Sequence, residues 1–168
     1  MNITIRKAKL GDEKILAHIQ TESWKSAFVD IISAEDMERC TDIVKAEAMY
    51  ENDLKSGYAE MSILEIGGNP HCIAAWRKAR NPQFSDCAEL ICIHSLTENR
   101  GKGYGSMMMN HIIDEIKNTD YNSVVLWVFE KNTRARNFYE KHGFELTNNT
   151  QTVYDAVEVM YRNDFDVK

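Results

Sequence analysis

The sequence predicts an α/β fold of the α+β type: one mixed, mostly antiparallel sheet of about six to seven strands, with a parallel central strand pair and about four helices. Segments with strand periodicity follow one another at 58–66, 71–79 and 88–95, which predicts an antiparallel meander. A pattern of helical period at 104–117 then leads to the continuous apolar run 124–129, typical of a strand covered on both faces. A strand, a helix and a strand in this order predict a right-handed crossover between parallel strands.

The other elements follow from local start and stop signals. Ser33 to Asp36 resembles a capping box, and Met37, Cys40 and Val44 continue from it at helical spacing, which predicts one helix through Val44. Gly143 is the expected end of the last helix. The remaining predicted elements, in chain order, are an edge strand at 2–7, a helix beginning at Gly11-Asp12, a helix at 132–142, and closing strands at 144–148 and 153–162.

The composition is that of one domain spanning 1–168, because no repeat, linker or low-complexity tract divides the chain. A chain of 168 residues with 43% hydrophobic content can bury roughly two-thirds of the surface that its unfolded state exposes. The net charge of −6, without a basic stripe, argues against a nucleic-acid partner. It favours cationic over acidic small molecules as ligands.

The cysteines predict reduced thiols in a cytoplasmic protein. Cys40, Cys72, Cys87 and Cys92 form no C-x-x-C pair and lie mostly within apolar runs, so neither a disulfide framework nor a metal site is expected. The N-terminus lacks a basic segment followed by an apolar one, and no apolar stretch reaches the length of a membrane span. We therefore expect a soluble protein without a membrane partner or an export signal.

A glycine-rich loop between the strand at 88–95 and the helix at 104–117 predicts an anion site. Gly101, Gly103 and Gly105 leave a bare backbone whose N–H groups can converge on phosphates, while the helix start adds about half a positive charge. Arg100 and Lys102 add two full charges. The expected ligand is a pyrophosphate, and the alternative is a tight turn without a ligand.

Two common phosphate loops do not fit this segment. A nucleoside-triphosphate loop requires G-x-x-x-x-G-K-[ST], and no Lys-Ser or Lys-Thr pair follows these glycines. A dinucleotide loop requires G-x-G-x-x-G near the start of the fold, whereas this loop comes late and has a different glycine spacing.

Two motifs in the same order resemble those of the GNAT superfamily, the acyl-CoA N-acyltransferases. Arg100-x-x-Gly103-x-Gly105 resembles the R/Q-x-x-G-x-G/A acyl-CoA loop, and the strands at 88–95 and 125–129 are similar to the family's fourth and fifth strands. The segment Asn132-x-x-Ala135-x-x-Phe138-Tyr139-x-x-x-Gly143-Phe144 resembles the N-x-x-A-x-x-F-Y-x-x-x-G-F block. The resemblance, specific from about 88 to 144, implies the GNAT fold and an acetyl-CoA-dependent N-acetyltransferase.

The resemblance also implies how acetyl-CoA is held. The backbone at the end of the fourth strand pairs with the pantetheine arm, a backbone N–H near Ile93 meets the oxyanion, and the loop takes the pyrophosphate. His94 departs from the residue types usual in the family, but a backbone role does not depend on the side chain. The implied cofactor-binding residues are Ile93, His94, Ser95, Arg100, Gly101, Lys102, Gly103, Tyr104, Gly105, Ser106, Asn132 and Tyr139.

Acetyl transfer to an amine needs a base and a proton for the departing thiolate. Glu89 interrupts an apolar strand at a position where lysine acetyltransferases of the family resemble it with a glutamate, so it is the first candidate base, with a solvent-facing carboxylate as the alternative. His94 and His111 are weaker candidates. Tyr139 is the implied general acid, and packing beside Phe138 is the alternative.

The acceptor is left open by the sequence. In the family the first helices and the last hairpin wall the acceptor site, which implies Trp24, Phe28, Tyr154 and Asp155 as lining residues, with core packing as the alternative. The leading expectation is a small-molecule primary amine. A protein α-amine or lysine as acceptor and a noncatalytic acyl-CoA-binding module are the other hypotheses, and a homodimer through the sheet edge or the last strands is left open.

Overall fold

The computed structural model describes residues 2–165 of the chain. It contains seven strands and five α-helices within these residues. In chain order the elements are β1 (Ile3–Lys7), α1 (Glu13–Ala27), α2 (Ala34–Cys40), α3 (Ile43–Ser56), β2 (Glu60–Ile66), β3 (Asn69–Lys78), β4 (Ala88–Ser95), α4 (Tyr104–Lys117), β5 (Ser123–Phe129), α5 (Thr133–Lys141), β6 (Glu145–Val153) and β7 (Ala156–Asp164).

The strands form one mixed sheet in the order β1-β2-β3-β4-β5-β7-β6. β4 and β5 pair in parallel across α4, and every other neighbouring pair is antiparallel. The predicted fold class is therefore confirmed, including the meander, the central parallel pair and the edge position of β1. The helix predicted at 104–117 has these boundaries in the structure.

The parallel pair separates soon after it begins. β4 and β5 pair only at Ala88 with Val124 and at Glu89 with Val125. β4 also contains a bulge, since Leu90 lies opposite Trp76 and Cys92 lies opposite Ala75, which leaves Ile91 as an extra residue. Beyond Glu89 the edge of β4 that faces β5 is unpaired within the described residues. A gap thus opens between the two strands at the centre of the sheet.

Helices cover both faces of the sheet and bury its apolar residues. On one face α4 buries Met108, Ile112 and Ile116, which follow the helical spacing seen in the sequence. On the other face α1 and α3 pack on β2 and β3, with Leu16 and Tyr50 almost fully buried. The core is therefore split by the sheet into two layers, and the central gap lies between them.

The predicted helix from Ser33 through Val44 is wrong in its extent. Ser33 does cap a helix, since its Oγ accepts a hydrogen bond from the Asp36 N–H, but this helix ends at Cys40. Asp42 then adopts an extended conformation and its carboxylate accepts from the Val44 and Lys45 N–H groups, which starts α3. A second N-cap within the apolar pattern breaks the helix, because a short carboxylate competes for backbone N–H groups. Residues 2–165 consequently contain five α-helices where about four were expected.

The closing hairpin also differs from its prediction. β6 extends to Val153, well past the predicted end at residue 148, and a register shift lies between Leu146 and Thr150. The second strand begins at Ala156, because Tyr154 and Asp155 form the turn with positive φ angles of 51° and 55°. Two successive residues with positive φ angles are typical of two-residue hairpin turns, whose twist matches the twist of the flanking strands.

Candidate functional site

One cleft of about 1170 Å³ runs across the central gap of the sheet. It is lined by the ends of β4 and β5, by the glycine loop, by the first turn of α5 and by parts of α1, α2, α3 and the β6–β7 hairpin. This volume exceeds that of an ordinary site for one drug-sized molecule, which is at most about 1,000 Å³. The cleft therefore has room for an extended ligand together with a second, smaller one.

The glycine loop forms one end of this cleft. Gly101 and Gly103 have φ angles of +80° and +86°, and a Cβ on either would meet nothing within 4 Å. The backbone conformation, and not crowding, therefore selects glycine at both positions. Gly103 is the N-cap of α4. The bare backbone and the helix start together form a concave surface of the kind that suits a phosphate.

Two arginines beside the loop have no carboxylate partner within the described residues. Arg100 donates from Nη2 to Ser26 Oγ, and Arg134 lies in the first turn of α5. Burial, together with the nearby positive charge of Arg134, lowers the pKa of Arg100. Like charges held close together without an internal counter-ion favour binding of an anion. Arg134 is a site residue that sequence reasoning missed, although it lies two positions after Asn132.

The end of β4 lines the middle of the cleft, as predicted for Ile93, His94 and Ser95. These residues pair with β3 on one side, and their other edge faces the gap, where an extended ligand can add as a strand. The His94 ring turns toward α1, where Trp24 Nε1 donates to His94 Nε2 at 3.4 Å. Burial lowers the pKa of His94 to about 4, so the ring is neutral near pH 7.

Tyr139 reaches the cleft from α5. The residue is 9% exposed and packs against Phe138, Phe144 and Tyr161, with ring centroids 5.6, 5.9 and 6.5 Å away. Burial is the main cause that raises the pKa of its phenol, with a smaller effect from Cys92. The hydroxyl forms no hydrogen bond with the described residues. It keeps its proton at neutral pH and is free to donate it to a molecule in the cleft.

Asn132 has a structural role that the sequence did not indicate. Its Oδ1 accepts a hydrogen bond from the Ala135 N–H at 3.2 Å, which caps α5. The residue also lines the cleft. Only its Nδ2 group is left for a ligand.

Glu89 does not have the surroundings expected of a free base. Its buried carboxylate accepts hydrogen bonds from the Arg80 N–H at 2.9 Å, from Nε at 3.1 Å and from Nη2 at 2.6 Å. Arg80 lines the cleft, whereas Glu89 does not. The solvent-facing alternative is wrong, since Glu89 is 3% exposed. This geometry argues for a carboxylate that positions Arg80, because both of its oxygens are already occupied.

The weaker candidate His111 lies outside the cleft. Its Nε2 is 3.4 Å from Glu115 Oε1, one turn further along α4. The structure thus places His94 in the cleft and His111 on the helix surface.

Three of the four predicted acceptor-side residues line the cleft. Trp24 stands edge to face with Phe28 at 5.0 Å and with Tyr154 at 6.2 Å, and Phe28 contacts Phe129 at 5.1 Å. The prediction for Asp155 is corrected, since it is exposed at the hairpin turn and does not line the cleft. Tyr154 and Asp155 occupy successive turn positions, and only the first side chain packs inward.

Glu158 lines the cleft and was not identified from the sequence. Gln151 Nε2 donates to its Oε2 at 2.6 Å. Burial raises the pKa of Glu158 and the Glu89 charge raises it further, while Gln151 and Arg80 oppose the shift. The sequence predicts that Glu158 lies in a strand, but only the pairing of β7 with β5 and β6 brings it to the cleft.

None of the helices within residues 2–165 is long and apolar enough to cross a membrane. No group of three His, Cys, Asp or Glu side chains in this part of the chain is placed to hold a metal ion.

Comparisons with known proteins agree with this geometry. The model of the acetyltransferase (GNAT) family matches residues 18–144. Rv2775 of Mycobacterium tuberculosis, named a probable N-acetyltransferase, is 27% identical over 152 residues, which is 90% of this chain and 84% of the relative. The PaiA N-acetyltransferase of Thermoplasma acidophilum, solved in complex with coenzyme A, superposes with a TM-score of 0.83 at 19% identity, covering 98% of this chain and 100% of that one.

YncA of Salmonella typhimurium, solved with its cofactor acetyl-CoA, has a TM-score of 0.75 at 18% identity, covering 100% of this chain and 96% of that one. The family model spans most of the chain and includes the glycine loop, the gap and Tyr139. The chain belongs to the acetyltransferase (GNAT) family.

Proposed function

We propose that this protein transfers the acetyl group of acetyl-CoA to the primary amine of a small molecule, by direct attack in a ternary complex. One observation supports the proposal: a single cleft is lined by the cationic glycine loop, the unpaired edge of β4, the aromatic residues of α1 and the β6–β7 hairpin, and Tyr139. Members of this family use acetyl-CoA, and the relatives solved with coenzyme A or acetyl-CoA support the same cofactor here.

The chain's own residues fit that cofactor. The backbone N–H groups of 101–106 and the two unpaired arginines suit the pyrophosphate, and the open edge of Ile93 to Ser95 suits the pantetheine amides. The cofactor supplies an activated thioester carbonyl. β4 provides backbone N–H groups along the gap, close to Ile93, that stabilise negative charge developing on an oxygen there.

The acceptor amine must lose a proton before it attacks. An amine with a pKa of about 10.4 is neutral only about once in 2,500 molecules at pH 7, which costs roughly 4 to 5 kcal/mol. Glu89 is bound to Arg80, so we propose that proton removal takes place through water in the cleft, with Glu89 acting indirectly by holding Arg80. Tyr139, which its raised pKa keeps protonated at neutral pH, then donates its proton to the departing thiolate, and the proton released by the amine returns to the phenolate through water.

We propose that the protein is located in the cytoplasm, and its free cysteines support this location. All four cysteines lack a disulfide partner, and Cys72 and Cys87 are buried. Reduced thiols are typical of the cytoplasm.

The test is an acceptor screen with radiolabelled acetyl-CoA, in which thiol release and labelled product are both measured. Small primary amines, peptides with free α-amines and lysine peptides form three separate panels. Labelling of small amines supports the proposal, and labelling of peptides alone would overturn the small-molecule acceptor. Tight acetyl-CoA binding without thiol release in any panel would instead identify a noncatalytic acyl-CoA-binding module.

A further inference from the structure

The cations on the acceptor side of the cleft are already neutralised. Arg39, Lys45 and Arg80 all line this side. Arg39 pairs with Asp36 at 2.5 Å, Lys45 with Asp42 at 3.5 Å, and Arg80 with Glu89 at 2.6 Å. Each of these three positive charges thus has a carboxylate from the same chain. The other cations that line the cleft, Arg100, Arg134 and Lys141, belong to the glycine loop and to α5.

Glu158 is a carboxylate on this side without such a partner. Among the described residues it forms no ion pair, and its hydrogen-bonded neighbour is the neutral amide of Gln151. Arg80 lies close enough to lower the pKa of Glu158, but its Nε and Nη2 both point to Glu89. Burial raises the pKa of Glu158, as expected for a carboxylate whose charge is not compensated.

Two aromatic residues lie on the same face of the sheet as this carboxylate. Phe129 is the register partner of Glu158, and Trp127 lies two positions earlier on the same face of β5. Trp127 and Phe129 both line the cleft, and so does Tyr154, whose ring already lies 5.7 Å from the Arg39 guanidinium. A carboxylate among aromatic rings is a typical site for an ammonium group, because the ring faces attract cations and the carboxylate pairs with them.

The position of Glu158 separates it from the reacting amine. The amine must reach the gap between β4 and β5, whereas Glu158 is on β7, on the far side of β5. Each strand adds about 4.8 Å across a sheet. A cation held at Glu158 therefore lies beside the gap and is a different group from the nitrogen that attacks.

We propose that the acceptor carries a second cationic group in addition to the reacting amine, and that Glu158 holds this group. The inference rests on the proposed acetyltransferase function and narrows its substrate to amines with two positive charges. Asp53, which also lines the cleft and forms no ion pair with the described residues, adds to the negative character of this chamber.

Three probes of equal length test the proposal: 1,4-diaminobutane, butylamine and 4-aminobutanoate. All three have a four-carbon chain with one reacting amine; the other end carries an ammonium group in the first, no polar group in the second and a carboxylate in the third. We expect kcat/KM to be roughly tenfold or more higher for the diamine than for butylamine, the size of one charge-assisted hydrogen bond, and lowest for 4-aminobutanoate. Binding of each probe to the complex with coenzyme A, measured by calorimetry, should follow the same order.

Variants at Glu158 locate the effect. Glu158→Gln should reduce kcat/KM for the diamine to the level of butylamine, with a much smaller effect on kcat/KM for butylamine and on coenzyme A binding. Glu158→Lys should reverse the order of kcat/KM, so that 4-aminobutanoate becomes the best of the three probes. The matched control is Glu130→Gln, which removes an exposed carboxylate just after β5 that does not line the cleft, and it should preserve the diamine preference.

The outcomes separate this inference from the proposed function. Equal use or equal binding of diamine and butylamine, or a preference that survives Glu158→Gln, would overturn the assignment of Glu158 while acetyl transfer stands. Preferential diamine binding without acetyl transfer to any amine would support Glu158 and overturn the proposed function. If the diamine is neither acetylated nor bound more tightly than butylamine, the second cationic group is refuted.

Discussion

Replacing Glu89 with Gln should mainly weaken the fold, with a much smaller effect on the chemical step. The carboxylate of Glu89 accepts from the Arg80 backbone N–H and from two guanidinium nitrogens, and its side chain is 4% exposed. A glutamine keeps one acceptor oxygen and turns an NH₂ group toward a donor. Loss of one charge-assisted hydrogen bond costs about 1.5–3 kcal/mol. The Arg80 side chain is 51% exposed, so solvent screening reduces this cost, and we expect a loss of about 2 kcal/mol.

For a domain of this size that loss corresponds to a decrease in Tm of about 4–8 °C. Urea unfolding measures the free energy directly, and steady-state kinetics over a range of pH reports the catalytic effect. We expect kcat to fall less than tenfold, because Glu89 acts only through Arg80, and the pH profile to keep its shape. Arg80→Gln is the matched variant: a double-mutant cycle should show that the two losses of stability are strongly coupled. A stable Glu89→Gln protein whose kcat falls a hundredfold or more, with loss of the acidic limb of the profile, would refute this reasoning and restore Glu89 as the base.

Three further predictions test the cofactor end, the proton donor and the buried histidine. Gly103→Ala should lose about 1 kcal/mol of stability and at least tenfold in coenzyme A affinity by calorimetry, whereas Gly57→Ala, with a φ of +65° away from the loop, should lose only the stability. Tyr139→Phe should lower kcat about 10- to 100-fold with little change in Tm. The control Tyr161→Phe, which removes the hydrogen bonds with Glu140 and Arg136, should lower Tm and leave kcat nearly unchanged. The opposite pattern would rule out Tyr139 as the general acid. Burial lowers the pKa of His94 from its ordinary value of 6.5 to about 4 in the folded state. The unfolded state therefore binds more protons between these values, and stability falls as pH decreases through this window. Relative to His94→Gln, the wild type should lose about 2 kcal/mol between pH 7 and pH 5 in urea unfolding, and an equal loss in both proteins would contradict the burial of this ring.

Local patterns in the sequence determined most of the fold and the cofactor end of the site. The crossover helix at 104–117 and the meander strands are encoded by periodicity, because each buries one continuous apolar face. The glycine loop is also a local feature, since positive φ angles and a helix start are properties of a few consecutive residues. The predicted ends of helices and strands were wrong where a second local signal competed, as at the Asp42 cap and in the turn at Tyr154.

The acceptor end was decided only by tertiary structure. The sequence shows a carboxylate at Glu89, but it does not show that this carboxylate binds Arg80, which lies in the connection that follows β3. Glu158 lies opposite Phe129 because β7 pairs with β5, and Trp24 contacts Tyr154, which is far away in the sequence. Periodicity identifies which residues face inward, but it carries no information on which distant side chains neutralise one another. The cofactor could therefore be inferred from the sequence, whereas the charge left for the acceptor depends on contacts that only the folded chain makes.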